Sequence, residues 1–289
     1  MYYPVIDGDS ILYRCGFAAQ HKYYYSEIDG GDYPSMKALK EAGMADKPYI
    51  ERVEVEPVEF ALGNVKATLT AILEATSAAD YTIYVSGNKP TFRDKFARIK
   101  PYKGNRPADG KPVHYDACKQ YIIDVWRAEE CFALESDDYC ALHQAEVEGS
   151  IIVSNDKDLQ QCPGMHYNWT KDDGIYVISP EEALHWKYIQ ILSGDATDNI
   201  EGIPGLGTLG AEKLLKHMFG SEEHEYNEVC SMYYEEFFSD DRKPIKNKAM
   251  TPAAYAHSLG MTPAEIYNET KVLITIIQNG TDQIEWENY

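Results

Sequence analysis

The stretch that decides the fold runs from Cys131-Phe132-Ala133-Leu134-Glu135-Ser136-Asp137-Asp138 to Ile151-Ile152-Val153-Ser154-Asn155-Asp156-Lys157-Asp158. Cys131 to Leu134 reads as a short strand, Asp137 to about Val147 carries helical spacing, and Ile151 to Ser154 is a β-branched, continuously apolar strand. Strand, helix and strand in that order imply a mainly parallel sheet. Acids follow both strands immediately, and in such sheets the carboxyl ends of the strands are where sites are built.

The same alternation extends outward in both directions. Upstream, Tyr2 to Ile6 reads as a strand, followed by Asp7-Gly8-Asp9-Ser10 and a helical pattern in Ile11, Leu12, Cys15, Phe17 and Ala18. Pro57 to Ala75 has helical spacing, Tyr81 to Val85 reads as a strand, and Tyr115 to Val125 as a helix. Residues 21 to 57 are rich in Tyr and Gly with weak periodicity, which predicts a surface insertion. Downstream, short strands are expected at Met165 to Trp169 and Ile175 to Ile178. Ser179-Pro180-Glu181-Glu182 then opens a helix with a capping box that runs to about Leu192. After the Gly-rich stretch Gly202 to Gly207, a helix from about Leu209 to Met218 and further helical patterns reach Gln278. The expected organisation is an α/β core over residues 1–193, with a basic segment at 88–112, and a helical region over 194–289.

Composition narrows the function classes. The chain has 289 residues, 44% hydrophobic and 26% charged, enough to bury a core. No run of about 18 apolar residues is present and the first residues lack a signal-peptide pattern, so a cytoplasmic protein without a membrane partner is expected. The six cysteines stand apart with no zinc-type spacing, which predicts buried thiols, and the eight histidines show no ligand spacing. The formal charge of −20 argues against a nucleic-acid partner. Locally the balance reverses. From Lys89 to Lys111 eight basic residues (Lys89, Arg93, Lys95, Arg98, Lys100, Lys103, Arg106, Lys111) face two acids, leaving +6 there and −26 elsewhere. Such a run can also be only a solvated loop.

The acids carry the chemistry. Asp7 follows one strand; Glu135, Asp137 and Asp138 follow another; Asp156 and Asp158 follow a third; Asp195 and Asp198 sit in a Gly-bounded loop. Any one of them could merely cap a helix, as Asp7, Asp9 or Asp137 would. Eight carboxylates in one cleft repel one another and raise each other's pKa unless cations neutralise them. All-oxygen ligation without histidine or thiolate points to Mg2+ or Mn2+, and two such ions about 3.5 to 4 Å apart are suited to phosphodiester hydrolysis.

Five motifs occur in a recognisable order: Asp7-Gly8-Asp9-Ser10, Tyr102-Lys103-Gly104-Asn105-Arg106, Glu135-Ser136-Asp137-Asp138, Ser154-Asn155-Asp156-Lys157-Asp158 and Gly194-Asp195-Ala196-Thr197-Asp198-Asn199. Over residues 1 to about 220 the chain resembles the 5′ nucleases of the flap endonuclease superfamily, most of all the bacteriophage 5′-3′ exonucleases, and Ser258-Leu259-Gly260-Met261-Thr262 resembles that phage subgroup too. The resemblance implies a PIN-like core with a parallel sheet, a helical arch formed by the basic segment, and a helix-two-turn-helix element. It implies a first metal group of Asp7, Glu135, Asp137 and Asp138 and a second of Asp156, Asp158, Asp195 and Asp198. Lys103 and Arg106 would act on the scissile phosphate, while Arg93, Arg98, Lys100, Tyr102, Gly205, Gly207 and Lys213 would contact nucleic acid. A K+ ion held by the Gly202 to Gly207 loop belongs to the same picture.

The implied activity is 5′ to 3′ cleavage of duplex DNA with a free 5′ end, of flap DNA, or of RNA in RNA–DNA hybrids, in the cytoplasm of a bacterial host for a phage protein. A monomer is the default expectation. Tyr102 is the candidate for stacking on a base, although a core role suits it better. One position departs from the family, which commonly carries an Asp where Ser86 stands, seven residues before Arg93. A hydroxyl is a weak substitute for a carboxylate, and Asp9 could compensate. Two rivals are a nucleotide phosphotransferase, which would need the absent G-x-x-x-x-G-K-[ST] loop, and a non-catalytic DNA-end or flap binder with a degenerate metal site.

Overall fold

The computed structural model describes residues 2–88, 90–107, 110–171 and 173–279; Lys89 and Asp109 of the basic segment lie outside these. In chain order the elements are β1 (Tyr3–Asp7), α1 (Gly8–Phe17), β2 (Gln20–Ser26), β3 (Asp32–Tyr33), α2 (Met36–Glu41), β4 (Tyr49–Val55), α3 (Val58–Thr76), β5 (Thr82–Ser86), α4 (Phe92–Phe96), α5 (Tyr115–Trp126), β6 (Glu129–Cys131), α6 (Ser136–Glu146) and β7 (Ser150–Val153). They continue as β8 (Gly164–Tyr167), β9 (Ile175–Ile178), α7 (Pro180–Ser193), β10 (Gly194–Asp195), β11 (Ile200–Glu201), α8 (Thr208–Leu215), α9 (Glu223–Phe238), α10 (Pro252–Leu259) and α11 (Pro263–Ile274).

The central sheet has the order β6-β5-β1-β7-β8-β9 and is parallel except for β9. Its middle strands are covered on both sides, which is why Ile151-Ile152-Val153 is apolar without alternation. Ile6, Ile83, Ile151 and Val153 face α1, α3 and α5 through Ile11, Leu12, Val65, Leu69, Ile72 and Ile122. On the other side Val5 and Ile152 pack with Cys140 and Ala141 of α6 and with Leu159. The expected α/β alternation is therefore present, with a mainly parallel sheet between helices.

A second apolar cluster holds the helical part together. It joins Tyr188, Ile191 and Leu192 of α7 to Ala211, Leu215, Tyr226, Tyr234, Phe238 and Tyr267. Tyr188 and Tyr226 stack at 5.0 Å, and the hydroxyl of buried Tyr234 donates to the Ile191 carbonyl at 2.7 Å. The chain after α11 returns to the first half, where Ile276 and Ile277 are buried beside β1, β7 and α6.

Three local readings differ from expectation. The strand placed at Cys131 to Leu134 lies earlier, at Glu129–Cys131, because the chain leaves the sheet through a positive φ of 67° at Ala133. Residues 21 to 57 form a three-stranded antiparallel sheet, β3-β2-β4, with the short helix α2. Every residue of β4 is exposed, so neither face needs an apolar side and no period of two could mark the strand. The helix in the described part of 88–112 is confined to α4, and the chain from Tyr102 to Arg106 turns down onto the cleft described below.

Gly8 shows how tightly α1 sits on the sheet. A Cβ there would lie 2.6 Å from Val85 Cγ1 and 2.7 Å from the Tyr84 carbonyl oxygen. Gly8→Ala is expected to cost about 1–3 kcal/mol through overpacking, measured as a lower urea midpoint with an unchanged m-value; wild-type stability in that variant would show that α1 can shift.

Candidate metal centre

The parallel register brings three strand ends level. Asp7 pairs with Tyr84 of β5, two residues before Ser86, and Ile6 pairs with Val153, one residue before Ser154. The cap and first turn of α6 add Glu135 and Asp137, the turn after β7 adds Asp156 and Asp158, and β10 with the loop after it adds Asp195 and Asp198. Seven of the eight expected acids, with Asp9, Lys103, Arg106 and Lys157, line one open cleft of about 940 Å³.

Asp7 is the hub of the first group. It caps α1 by accepting from the amides of Asp9 (3.1 Å) and Ser10 (3.4 Å), and it also accepts from the hydroxyls of Ser136 (3.0 Å) and Ser154 (2.8 Å). Burial, then Asp9, raise its pKa to about 7, with the two serines pulling the other way. The Ser136 hydroxyl also lies 3.1 Å from Asp9 Oδ2 and 3.2 Å from Asp137 Oδ1, with one hydrogen to serve three carboxylates. Burial, then Asp7 and Glu135, push Asp137 well above the ordinary carboxylate range. Glu135 behaves oppositely: burial raises it, but Lys103 and Arg93 outweigh burial and hold it low.

In the second group Asp156 accepts from the Asp158 amide at 2.9 Å, a local turn that sets the two acids side by side. Asp158 Oδ1 accepts from Gln190 Nε2 at 2.5 Å and from Lys157 at 3.2 Å; burial and Asp156 raise this acid to about 6. Asp195 accepts from the Thr197 amide at 2.6 Å and pairs with Lys157, and against the effect of burial these contacts hold its pKa low. Asp198 meets Arg106 at 2.7 Å and Lys103 at 3.6 Å.

Two expected site residues stand elsewhere. Asp138 has no exposed surface, and both its oxygens are taken by Arg93, at 2.6 and 2.8 Å, and by the amides of Glu135 (3.1 Å) and Ile277 (3.0 Å). It does not line the cleft. Arg93 is 1% exposed and also donates to the carbonyls of Leu273 (3.1 Å) and Thr275 (2.7 Å), so it cannot reach a nucleic acid. Both were read as site residues because an acid next to a cleft acid and a base in a basic run look the same in sequence whether they face in or out.

The remaining residues are placed as follows. Tyr102 is buried, its hydroxyl 2.6 Å from Glu135 and 2.8 Å from Asp198, which leaves no face for a base. Arg98 is exposed, and Lys100 pairs with Glu201 at 3.1 Å. Gly205 (φ 88°) and Gly207, the cap of α8, lie exposed with Lys213, away from the carboxylates. The sequence reading missed Ser136, Ser154, Lys157 and Gln190. The serines and Lys157 sit inside the quoted motifs, whereas nothing local marks Gln190. Asp9 lines the cleft beside Ser86, whose amide donates to its carboxylate at 3.2 and 3.3 Å.

The donor set suits hard cations. Among the described residues no three Asp, Glu, His or Cys side chains stand ready around one ion. Ammonium groups answer the acids instead: Lys103 spans Glu135 and Asp198, and Lys157 spans Asp158 and Asp195. Each acid group thus demands positive charge, and its oxygen-only donors are of the kind that hard divalent cations take.

No family model matches the chain. It is 31% identical to an exodeoxyribonuclease of Enterobacteria phage T3 over 128 residues, 41% of each chain, and 30% identical to an exonuclease of Escherichia phage T7 over 131 residues, 42% of each. The matched part thus spans about two fifths of those relatives. A DNA polymerase I of Bacillus caldotenax is 31% identical over 179 residues, 54% of this chain and 20% of that one. Among solved structures, the phage T5 5′-exonuclease with zinc bound covers 99% of this chain and 93% of its own at a TM-score of 0.57 and 13% identity. The phage T5 flap endonuclease in complex with DNA and metal ions gives 0.56 at 12% identity over the same shares. The chain thus has the fold of these phage T5 nucleases, and over about two fifths of its length it is similar in sequence to phage exonucleases.

Proposed function

We propose that the protein is a divalent-metal-dependent 5′ to 3′ nuclease that hydrolyses phosphodiesters of DNA near a 5′ end, with flaps and RNA–DNA hybrids as further substrates. The observation that carries this reading is the cleft at the strand ends, where carboxylates from four separate segments face two basic residues of the Tyr102 to Arg106 turn. Residues 1–193, with Asp195 and Asp198 of the loop that follows, form the cutting body, and the helical region after them grips the duplex through Gly205, Gly207 and Lys213. The Gly202 to Gly207 carbonyls are the place for a K+ ion.

Two cations, Mg2+ or Mn2+, would be held by Asp7, Glu135 and Asp137 with Asp9, and by Asp156, Asp158, Asp195 and Asp198. When bound they supply positive charge against the phosphodiester and an acidified water to attack it. The chain's own part is distinct. Ser136 and Ser154 hold Asp7 by hydrogen bonds so that burial does not turn it away from the cleft. Tyr102 keeps its proton, since burial and Glu135 push the phenol pKa well up, and it pins Glu135 against Asp198. Lys103 and Arg106 neutralise those two acids, and with metal held there both side chains would be free to donate to phosphate oxygens.

Incubating 5′-labelled duplex with Mg2+, and in parallel with EDTA, tests the reading. Metal-dependent release of 5′ nucleotides is expected; binding without cleavage would leave only the end-binder. Asp137→Asn and Asp158→Asn should each lower the single-turnover rate by roughly 100-fold or more, about 2.7 kcal/mol of barrier, with far-UV circular dichroism unchanged. Lys103→Ala should reduce turnover more than DNA affinity, and a loss confined to affinity assigns Lys103 to docking.

The pH dependence of stability follows from Asp7. Its folded pKa is raised from 3.8 to about 7, so the folded state holds the proton more tightly and loses stability as pH rises through that window. In EDTA, the stability of wild type relative to Asp7→Asn should fall from about pH 4 to pH 7 and level off above, measured by urea unfolding. A flat difference means that Asp7 is not buried as described.

A further inference from the structure

Two glutamines, Gln161 and Gln190, lie 2% exposed under the second acid group, although neither side chain is apolar. Buried amides carry four hydrogen-bonding positions each, and their orientation follows from their partners. For Gln161 the partners are backbone atoms of the segment after α11. Its Nε2 donates to the Ile274 carbonyl at 3.0 Å, and its Oε1 accepts from the Ile276 amide at 3.3 Å. A carbonyl can only accept and an amide can only donate, so the Gln161 side chain has one permitted orientation. Gln278 adds a bond from its Nε2 to the Gln161 carbonyl at 2.8 Å, fixing the same stretch of chain.

That orientation propagates. The second Nε2 hydrogen of Gln161 meets Gln190 Oε1 at 2.7 Å, which obliges Gln190 to turn its own Nε2 toward Asp158 Oδ1, 2.5 Å away. The result is a directional chain of hydrogen bonds that starts at the backbone of 274–276 and ends on a carboxylate of the cleft. Lys157 also bonds Oδ1, and among the described residues no hydrogen bond is made to Oδ2. The geometry points to Gln190 as a positioning residue, aligned through Gln161 by the C-terminal segment, that holds Asp158 by one oxygen and so presents the other to a cation in the cleft. This rests on the reading of Asp158 as a metal ligand. It gives the returning segment a role in metal affinity that its distance in sequence from every acid motif conceals.

The alternative is that the glutamines only satisfy one another in a tight core, in which case they matter for folding and not for metal. Titration calorimetry of the full chain with Mn2+ separates the two. Gln190→Met keeps volume and removes the donor. It should weaken Mn2+ binding at one of two sites by roughly 10- to 100-fold, the usual effect of removing a partner that orients a ligand. A folded Gln190→Met that binds Mn2+ as wild type does overturns the inference.

Gln161→Met provides a second route should Gln190→Met not fold. It keeps volume without adding charge and has no hydrogen for Gln190, so the orientation at Asp158 is no longer enforced. A drop in Mn2+ affinity supports the chain of bonds, and an unchanged isotherm sinks it. Wild-type protein that takes up no Mn2+ at all refutes the metal reading itself, a result distinguishable from failure of the Gln190 role.

Discussion

Mutual repulsion of carboxylates at the ends of β1 and β7, at the entry to α6 and in the β10–β11 loop is the constraint around which the rest of this structure is arranged. Each acid brought into the cleft loses water and gains a like-charged neighbour, and both effects raise its pKa. Asp7, Asp137 and Asp158 show that cost. Glu135 and Asp195 escape it because Lys103, Arg93 and Lys157 lie against them. Positive charge in the cleft is therefore a structural requirement.

A different ion pair secures the frame. Arg93 and Asp138 meet with both oxygens engaged, and Arg93 further binds Leu273 and Thr275. One guanidinium thus ties α4, α6 and the segment after α11 into one unit. Breaking such a buried pair from one side commonly costs about 3–5 kcal/mol, because the partner charge is left without compensation. Glu269 complements it, accepting from the amides of Arg98 and Ile99 at 2.7 Å each, so α11 holds the basic segment at two points. The turn that carries Lys103 and Arg106 starts from these fixed points.

The acidity of the whole chain and the basicity of one segment have different consequences. Screening limits exposed charges to about 8–10 Å at physiological salt, so the charges that Lys103 and Arg106 answer are the cleft acids Glu135 and Asp198 rather than the net charge of −20. The three-stranded sheet β3-β2-β4 stands apart from this electrostatic economy. Its cross-strand pairs, such as Lys22 with Glu51 at 2.7 Å, involve exposed side chains.

The layer architecture is legible along the chain, since β-branched runs and helical spacing are local patterns that report burial directly. Also legible is which acids follow strand ends, and hence most of the cleft, because a parallel sheet leaves those ends on one side. Tertiary structure alone decided which way each side chain faces. Asp137 and Asp138 are neighbours, yet one lines the cleft and the other is sealed against Arg93, a choice set by a guanidinium 45 positions away. The meeting of Asp9 with the Ser86 amide, the serine donors on Asp7 and the glutamines beneath Asp158 depend likewise on contacts between distant segments, and no periodicity along the chain encodes those.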